Sequence, residues 1–159
     1  MTAYDQALKI ALAALRQRDM LAAELKVKLE NRGVEPAIIE SVLSYLKQRR
    51  FLDDSRTIDQ TIARASGKRA VGKNKLQADL NRRGAPEEIV EAQLAAILPE
   101  TERQQALELL RLKLKPSDSR GKAGRLLLAR GFDEDLVESV LIEFLGEVEF
   151  SDSEIEHGS

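Results

Sequence analysis

The sequence predicts an all-α fold: three tandem three-helix, helix-turn-helix-like repeats forming an elongated curved array. One frame, recurring around Gly33, Gly84 and Gly131, carries most of that prediction. Leucine stands four residues before each glycine (Leu29, Leu80, Leu127) and arginine one before (Arg32, Arg83, Arg130). Apolar pairs follow at five and six (Ile38-Ile39, Ile89-Val90, Leu136-Val137), glutamate at seven (Glu40, Glu91, Glu138) and leucine at ten (Leu43, Leu94, Leu141). The glycines are 51 and 47 residues apart, so the chain repeats with a period of about fifty. The turn supplies the second observation. Helices commonly end on a residue in the left-handed region, where glycine alone has no Cβ to clash, and the next residue packs back on the last turn. Val34 on Leu29, Ala85 on Leu80 and Phe132 on Leu127 are the expected pairs. Composition is the third: charged residues reach 33% and aromatics only 4%, which suits helices joined through aliphatic seams.

The repeats are bounded at 3–52, 53–98 and 99–146, with a disordered acidic tail over 147–159. Ala7-Leu8, Ala11-Leu12 and Ala14-Leu15 recur at helical spacing, predicting a first helix over 4–17 with a narrow, close-packing face. Leu21, Leu25 and Leu29 carry the second helix to Gly33, and Ile38 to Leu46 give the third a broad apolar stripe that ends at Lys47-Gln48-Arg49-Arg50. Asp53 and Asp54 suit the start of a fourth helix, whose weak apolar content (Ile58, Ile62) requires support from neighbours. Gly67 and Gly72 bracket a segment expected to be a mobile connection carrying Lys68, Arg69 and Lys73. A fifth helix through Leu76 and Leu80 ends at Gly84, and a sixth holds Ile89, Val90 and Leu94. The seventh opens after Pro99 and uses Leu107, Leu110 and Leu114. The eighth ends at Arg130-Gly131 despite Gly121 and Gly124, each costing about 1 kcal/mol inside a helix. The ninth spans Asp133 to about Leu145. Tyr4, Tyr45, Phe51 and Phe144 are too scattered for base-stacking platforms and are expected in cores or seams.

The net charge of −2 conceals an asymmetry. Residues 1–83 hold 17 basic and 10 acidic side chains, whereas 84–159 hold 8 and 17. Within 64–83, seven basic residues face only Asp79, which is placed to bridge Lys75 and Arg83 at i,i±4. Within 111–130 seven face only Asp118. One acid cannot balance seven bases, and the surplus appears at equivalent places in two repeats, so a polyanion or an acidic protein groove is the expected partner. The candidate binding residues are Arg64, Lys68, Arg69, Lys73, Lys75, Arg82, Arg83, Arg120, Lys122, Arg125 and Arg130. No cysteine is present and the one histidine, His157, lies in the tail, which removes thiol chemistry and any Cys/His metal site. Asp53-Asp54 reads as a helix cap rather than a metal or general-base pair. No glycine-rich loop precedes a lysine at phosphate-loop spacing, and no run of about 18 apolar residues exists. The expectation is a cytoplasmic, monomeric, non-enzymatic protein with no cofactor, no metal and no membrane contact.

The chain resembles the RecX family of regulators of the RecA recombinase. The residues that carry the likeness are Leu52-Asp53-Asp54-Ser55-Arg56, Val71-Gly72-Lys73-Asn74-Lys75-Leu76 and Leu80-Asn81-Arg82-Arg83-Gly84, flanked by repeats of the same build. It covers about residues 5 to 146. The aromatics that the family often carries after the Leu-Asp-Asp junction are replaced around Thr57 to Thr61, and the acidic tail is not a general family feature. The resemblance implies a protein that lies along the groove of a RecA filament on single-stranded DNA and damps ATP turnover and strand exchange. A helix-turn-helix protein acting on nucleic acid without recombinase, and a helical adaptor for an acidic protein, are the alternatives. The tail acids, Glu143 to Glu156, are expected to be free to reach the basic face.

Overall fold

The computed structural model describes the backbone of residues 1–157 and the side chains of residues 1–147. Among the described residues it holds nine α-helices and no strand: α1 (Ala3–Gln17), α2 (Ala22–Asn31), α3 (Pro36–Gln48), α4 (Asp54–Arg64), α5 (Lys73–Arg82), α6 (Glu87–Ala95), α7 (Pro99–Lys113), α8 (Arg120–Ala129) and α9 (Glu134–His157). A 3-10 turn, Gly67–Arg69, lies between α4 and α5. Four helices start at residues that suit the free amides of a first turn. Thr2 accepts from the Asp5 amide at 3.1 Å while the Asp5 carboxylate accepts from the Thr2 amide, Pro36 and Pro99 open α3 and α7, and Ser119 caps α8.

The three turn glycines are left-handed as expected, with φ of 77° at Gly33, 85° at Gly84 and 83° at Gly131. All three close the same pair of bonds. The residue after glycine donates to the carbonyl five positions back (Val34 to Leu29, Ala85 to Leu80, Phe132 to Leu127; 3.0–3.1 Å), and the glycine donates to the carbonyl three back (2.9–3.0 Å). Orphan carbonyls at the helix end are thereby satisfied twice per turn. The end of α3 repeats this pattern without glycine. Phe51 donates to Leu46 at 2.9 Å, Arg50 donates to Lys47 at 3.1 Å, and Arg50 takes φ 60°, a left-handed position that costs an L side chain about 1–2 kcal/mol.

The chain forms two compact units: Met1–Thr61 with Asp79–Gln93, and Ile62–Ala78 with Leu94 onward. The middle triplet, α4 to α6, is therefore shared between them. In the first unit α1, α2 and α3 pack mutually around Ala7, Ala11 and Ala14, whose small side chains let α1 approach Leu25, Leu29, Ile39, Val42 and Leu46. In the second, α9 packs on both α7 and α8 around Leu107, Leu110, Leu127, Phe132, Val140 and Phe144.

Three expectations are corrected. The Gly67–Gly72 segment is not a mobile connection. Its 3-10 turn packs on α7, Ala70 is fully buried in the core of that unit, and the Gly72 amide donates to the Arg130 carbonyl at 2.7 Å. Residues from Glu147 are helical through His157 rather than disordered. No proline interrupts them, and Glu147 is tied to Arg111, whose Nε donates to Oε2 at 3.0 Å, while Glu143 pairs with Arg103. Those two acids are therefore engaged within their own unit, and the side chains of Glu149 to Glu156 lie outside the described residues. Phe51 is 52% exposed, whereas Phe144 is buried and Tyr4 and Tyr45 are partly buried on the first core, as expected.

Candidate functional site

Nine of the eleven candidate cations belong to the second unit, where two glycines bring them together. A Cβ placed on Gly72 would lie 2.3 Å from the Gly131 carbonyl oxygen, and one on Gly131 would lie 2.4 Å from the Lys75 Cβ. Only a glycine on each side permits such an approach. It seats the start of α5 on the α8–α9 turn, and so joins the basic segment 64–75 to the basic segment 120–130.

Within that cluster the cations divide by what they touch. The Arg130 Nη1 donates to the carbonyls of Lys68 (3.0 Å) and Ala70 (2.9 Å), so it fastens the 3-10 turn. Lys73 donates to the Ile97 carbonyl at 3.0 Å and pairs with Glu102 at 3.3 Å, with 31% of its side chain exposed. Lys122 pairs with Asp118 at 3.0 Å; the Lys115 amide, with Lys122 behind it, holds the Asp118 carboxyl below its ordinary value. Arg64, Lys68, Arg69, Lys75, Arg120 and Arg125 are exposed and form no ion pair among the described residues. Those six are available to an anionic partner.

Arg82 and Arg83 belong to the first unit. Arg82 is exposed and pairs with Asp79 at 2.7 Å, which replaces the expected bridge from Asp79 to Lys75 and Arg83. Arg83 is a packing residue. Its Nη2 and Nε donate to the two oxygens of Glu24 at 3.0 and 3.4 Å, and Nη1 donates to the Thr61 hydroxyl at 3.4 Å. Burial of Glu24 opposes its ionisation. The Arg83 bonds, the Leu21 amide and the charges of Arg83 and Arg18 outweigh that and set its pKa below the ordinary value.

The same unit holds a cavity of about 630 Å³ whose basic lining was not among the candidates: Arg18, Lys28 and Arg32 with Arg82 and Arg83, against the single acid Glu24. The signal was the i,i+4 spacing of Lys28 and Arg32 on α2. Asp53 and Asp54 are helix caps. Asp53 accepts from the Arg56 amide at 3.2 Å, and Asp54 reaches across the unit to accept from the Ala22 amide, at the start of α2, at 2.8 Å. No cluster of three or more His, Asp or Glu able to hold a metal is found among the described residues, and no helix there is long and apolar enough to cross a membrane. The His157 side chain lies outside the described residues.

The repeat frame, the Leu-Asp-Asp junction acting as a double cap and the glycine contact at Gly72 can be set beside known proteins. Regulatory protein RecX of Leptothrix cholodnii is 35% identical over 135 residues, a match covering 82% of this chain and 84% of that protein. The chain belongs to the RecX family. Regulatory protein RecX of Deinococcus radiodurans is 34% identical over 135 residues, which cover 82% of this chain but only 64% of the longer relative. The crystal structure of RecX from Lactobacillus salivarius matches 89% of this chain and 96% of that one with a TM-score of 0.78, at 18% identity, and shows a shared fold. No family model matches the chain.

Proposed function

We propose that this RecX-family chain is a non-enzymatic regulator that lies in the groove of a RecA filament on single-stranded DNA and damps its ATP turnover and strand exchange. The observation that supports this most directly is the set of six exposed, unpaired cations in one compact unit: Arg64, Lys68, Arg69, Lys75, Arg120 and Arg125. Cations without acidic neighbours create a field that attracts a polyanion. Lys73, Lys122 and Arg130 contribute charge to that field while holding the surface in shape, and Arg82 and Arg83 contribute to the first unit. No cofactor or metal takes part, and the free protein is a cytoplasmic monomer.

The test is a recombinase ATPase assay on single-stranded DNA with the protein titrated in, expected to show falling turnover. Alanine at Lys68, Arg69, Lys75 and Arg125 together should weaken filament binding while helical circular dichroism is unchanged. Where those residues touch single-strand phosphates, the log-log salt slope should shrink by about 0.7 per lost contact. Unchanged turnover refutes the regulator. Affinity for naked DNA equal to that for the recombinase-coated strand would establish the simple nucleic-acid binder instead.

A further inference from the structure

The cavity bounded by Arg82 and Arg83 is one part of a longer groove within the first unit. Its walls are the end of α1 at Ala14, Gln17 and Arg18, one face of α2 from Ala23 to Asn31, and the Arg83-Gly84 turn. That turn is seated on the first turn of α2, where a Cβ on Gly84 would lie 2.6 Å from the Ala23 Cβ. A second cavity, of about 330 Å³, shares Ala14, Gln17, Lys28 and Arg32 with the first and continues along α1 past Ala13 and Ile10 to Lys9.

The floor of the groove is aliphatic and its rim is cationic. Ala14 and Met20 are buried, and Val27 lines the cavity with them while remaining 53% exposed. The rim holds Lys9, Arg18, Lys28, Arg32 and Arg82, together with the half-buried Arg83, against one acid, Glu24. Glu24 is already neutralised, by Arg83 at 3.0 Å and Arg18 at 3.5 Å. Lys9, Lys28 and Arg32 form no ion pair among the described residues. Arg32 lacks the anchor that its counterparts in the repeat frame have. Arg83 grips a carboxylate and Arg130 two carbonyls, whereas Arg32 is exposed and a Cβ on Gly33 would meet nothing within 4 Å.

We propose that this groove binds an acidic peptide segment of a partner protein, which lays an aliphatic side chain over Val27 and Met20 while its carboxylates meet Lys28, Arg32 and Arg18. Charge selects the sign of the ligand, because the rim has cations to spare and its one acid is spoken for. The floor selects the class. Among the described residues no aromatic side chain lines either cavity, so a nucleic-acid base would have no platform to stack on. A leucine or isoleucine side chain gains from burial on the same surface. Arginine at the rim suits carboxylates, which its planar fork can hold through two bonds at once. The occupant is therefore a segment with acids on either side of an apolar residue, the pattern by which peptides dock in apolar grooves. This inference does not rest on the filament reading, because the groove lies in the first unit and needs no nucleic acid.

The probe is a fluorescein-labelled synthetic peptide of glutamates around one central leucine, followed by anisotropy at physiological ionic strength. It should bind the unmodified protein saturably, and replacing its leucine by serine should weaken binding about fivefold. Lys28→Glu/Arg32→Glu should weaken it about tenfold or more, since both rim charges are reversed. Val27→Ser should cost about fivefold, while Arg120→Glu/Arg125→Glu, in the second unit, should leave peptide affinity unchanged. Nuclear magnetic resonance on the unmodified protein gives a measure that no variant can spoil by misfolding: the amide signals of Val27, Lys28 and Arg32 should move as peptide is added. Absence of saturable binding, equal affinity for the leucine and serine peptides, or groove variants that bind like the parent overturns the proposal. An oligothymidylate that moves the same signals and displaces the peptide would make the groove a nucleic-acid site and overturns it equally. None of these measurements contains recombinase, so their failure leaves the filament reading intact.

Discussion

Substituting Gly72 by alanine should destabilise the protein, against the usual sign of that change. Gly72 does not have a left-handed φ, so the backbone itself would accept a Cβ, and reduced freedom of the unfolded chain would ordinarily add about 0.4–1 kcal/mol of stability. The new Cβ, however, would stand 2.3 Å from the Gly131 carbonyl oxygen, 2.4 Å from its carbon and 2.5 Å from the Phe132 nitrogen. All three are backbone atoms of a turn pinned by its own hydrogen bonds, so no flexible side chain can move aside. Overpacking of this kind costs about 1–3 kcal/mol. Parting the two segments also loosens the buried 2.7 Å bond from the Gly72 amide to the Arg130 carbonyl, worth about 1 kcal/mol more. With the unfolded-chain gain of about 0.4–1 kcal/mol taken off, the net expectation is a loss of about 1–3.6 kcal/mol, read by urea unfolding, with faster hydrogen exchange at the Gly72 amide. Gly146→Ala is the control. It lies in α9 with nothing within 4 Å of its Cβ, and should gain up to about 1 kcal/mol. A Gly72→Ala protein as stable as its parent would refute the close approach, and with it the joining of the two basic segments.

Three further outcomes follow from local geometry. Asp54→Ala should cost about 1 kcal/mol by urea unfolding, because Leu21 has no side-chain oxygen to cap α2 and Asp54 serves its Ala22 amide from another helix. Arg50→Gly should raise stability by up to about 1 kcal/mol, since it relieves the left-handed strain at φ 60°; a loss would show that the arginine side chain holds the turn. Glu24 has a lowered folded-state pKa, so its contribution is complete above the ordinary carboxylate range and is lost as pH falls through the folded value. Glu24→Gln should therefore lower stability at neutral pH and flatten the acid limb of the stability profile, and an acid limb identical to the parent's would refute the assignment.

The helices and the three glycine turns were legible because they depend on local physics: apolar spacing, capping residues and the φ that only glycine takes freely. What a cation does was not legible, because it depends on what long-range packing brings beside it. Arg83 and Arg130 precede turn glycines and read as dipole partners. In the structure Arg83 binds a carboxylate 59 residues away, and Arg130 binds carbonyls 60 and 62 residues away. The Gly67–Gly72 segment read as mobile from its glycines, yet Gly72 is required for close contact, not for flexibility. Signals for both were present: an Arg-Gly pair at each helix end, and a buried-type residue, Ala70, inside a basic loop.

This division of labour bears on how charge substitutions here should be interpreted. Removing Arg83, Lys73 or Arg130 deletes a buried or half-buried partner as well as a charge, leaving the Glu24 carboxylate, the Glu102 carboxylate or the Lys68 and Ala70 carbonyls to find water. Weakened binding in such a variant would be ambiguous, because a distorted surface and a missing contact give the same loss. Arg64, Lys68, Arg69, Lys75, Arg120 and Arg125 carry no such debt in their side chains, and their removal changes the field with little change in packing. The Arg32 side chain belongs with them although it occupies the same place in the repeat frame as Arg83 and Arg130. A repeated residue is thus structural where a neighbouring helix start receives its turn, and available for a partner where none does.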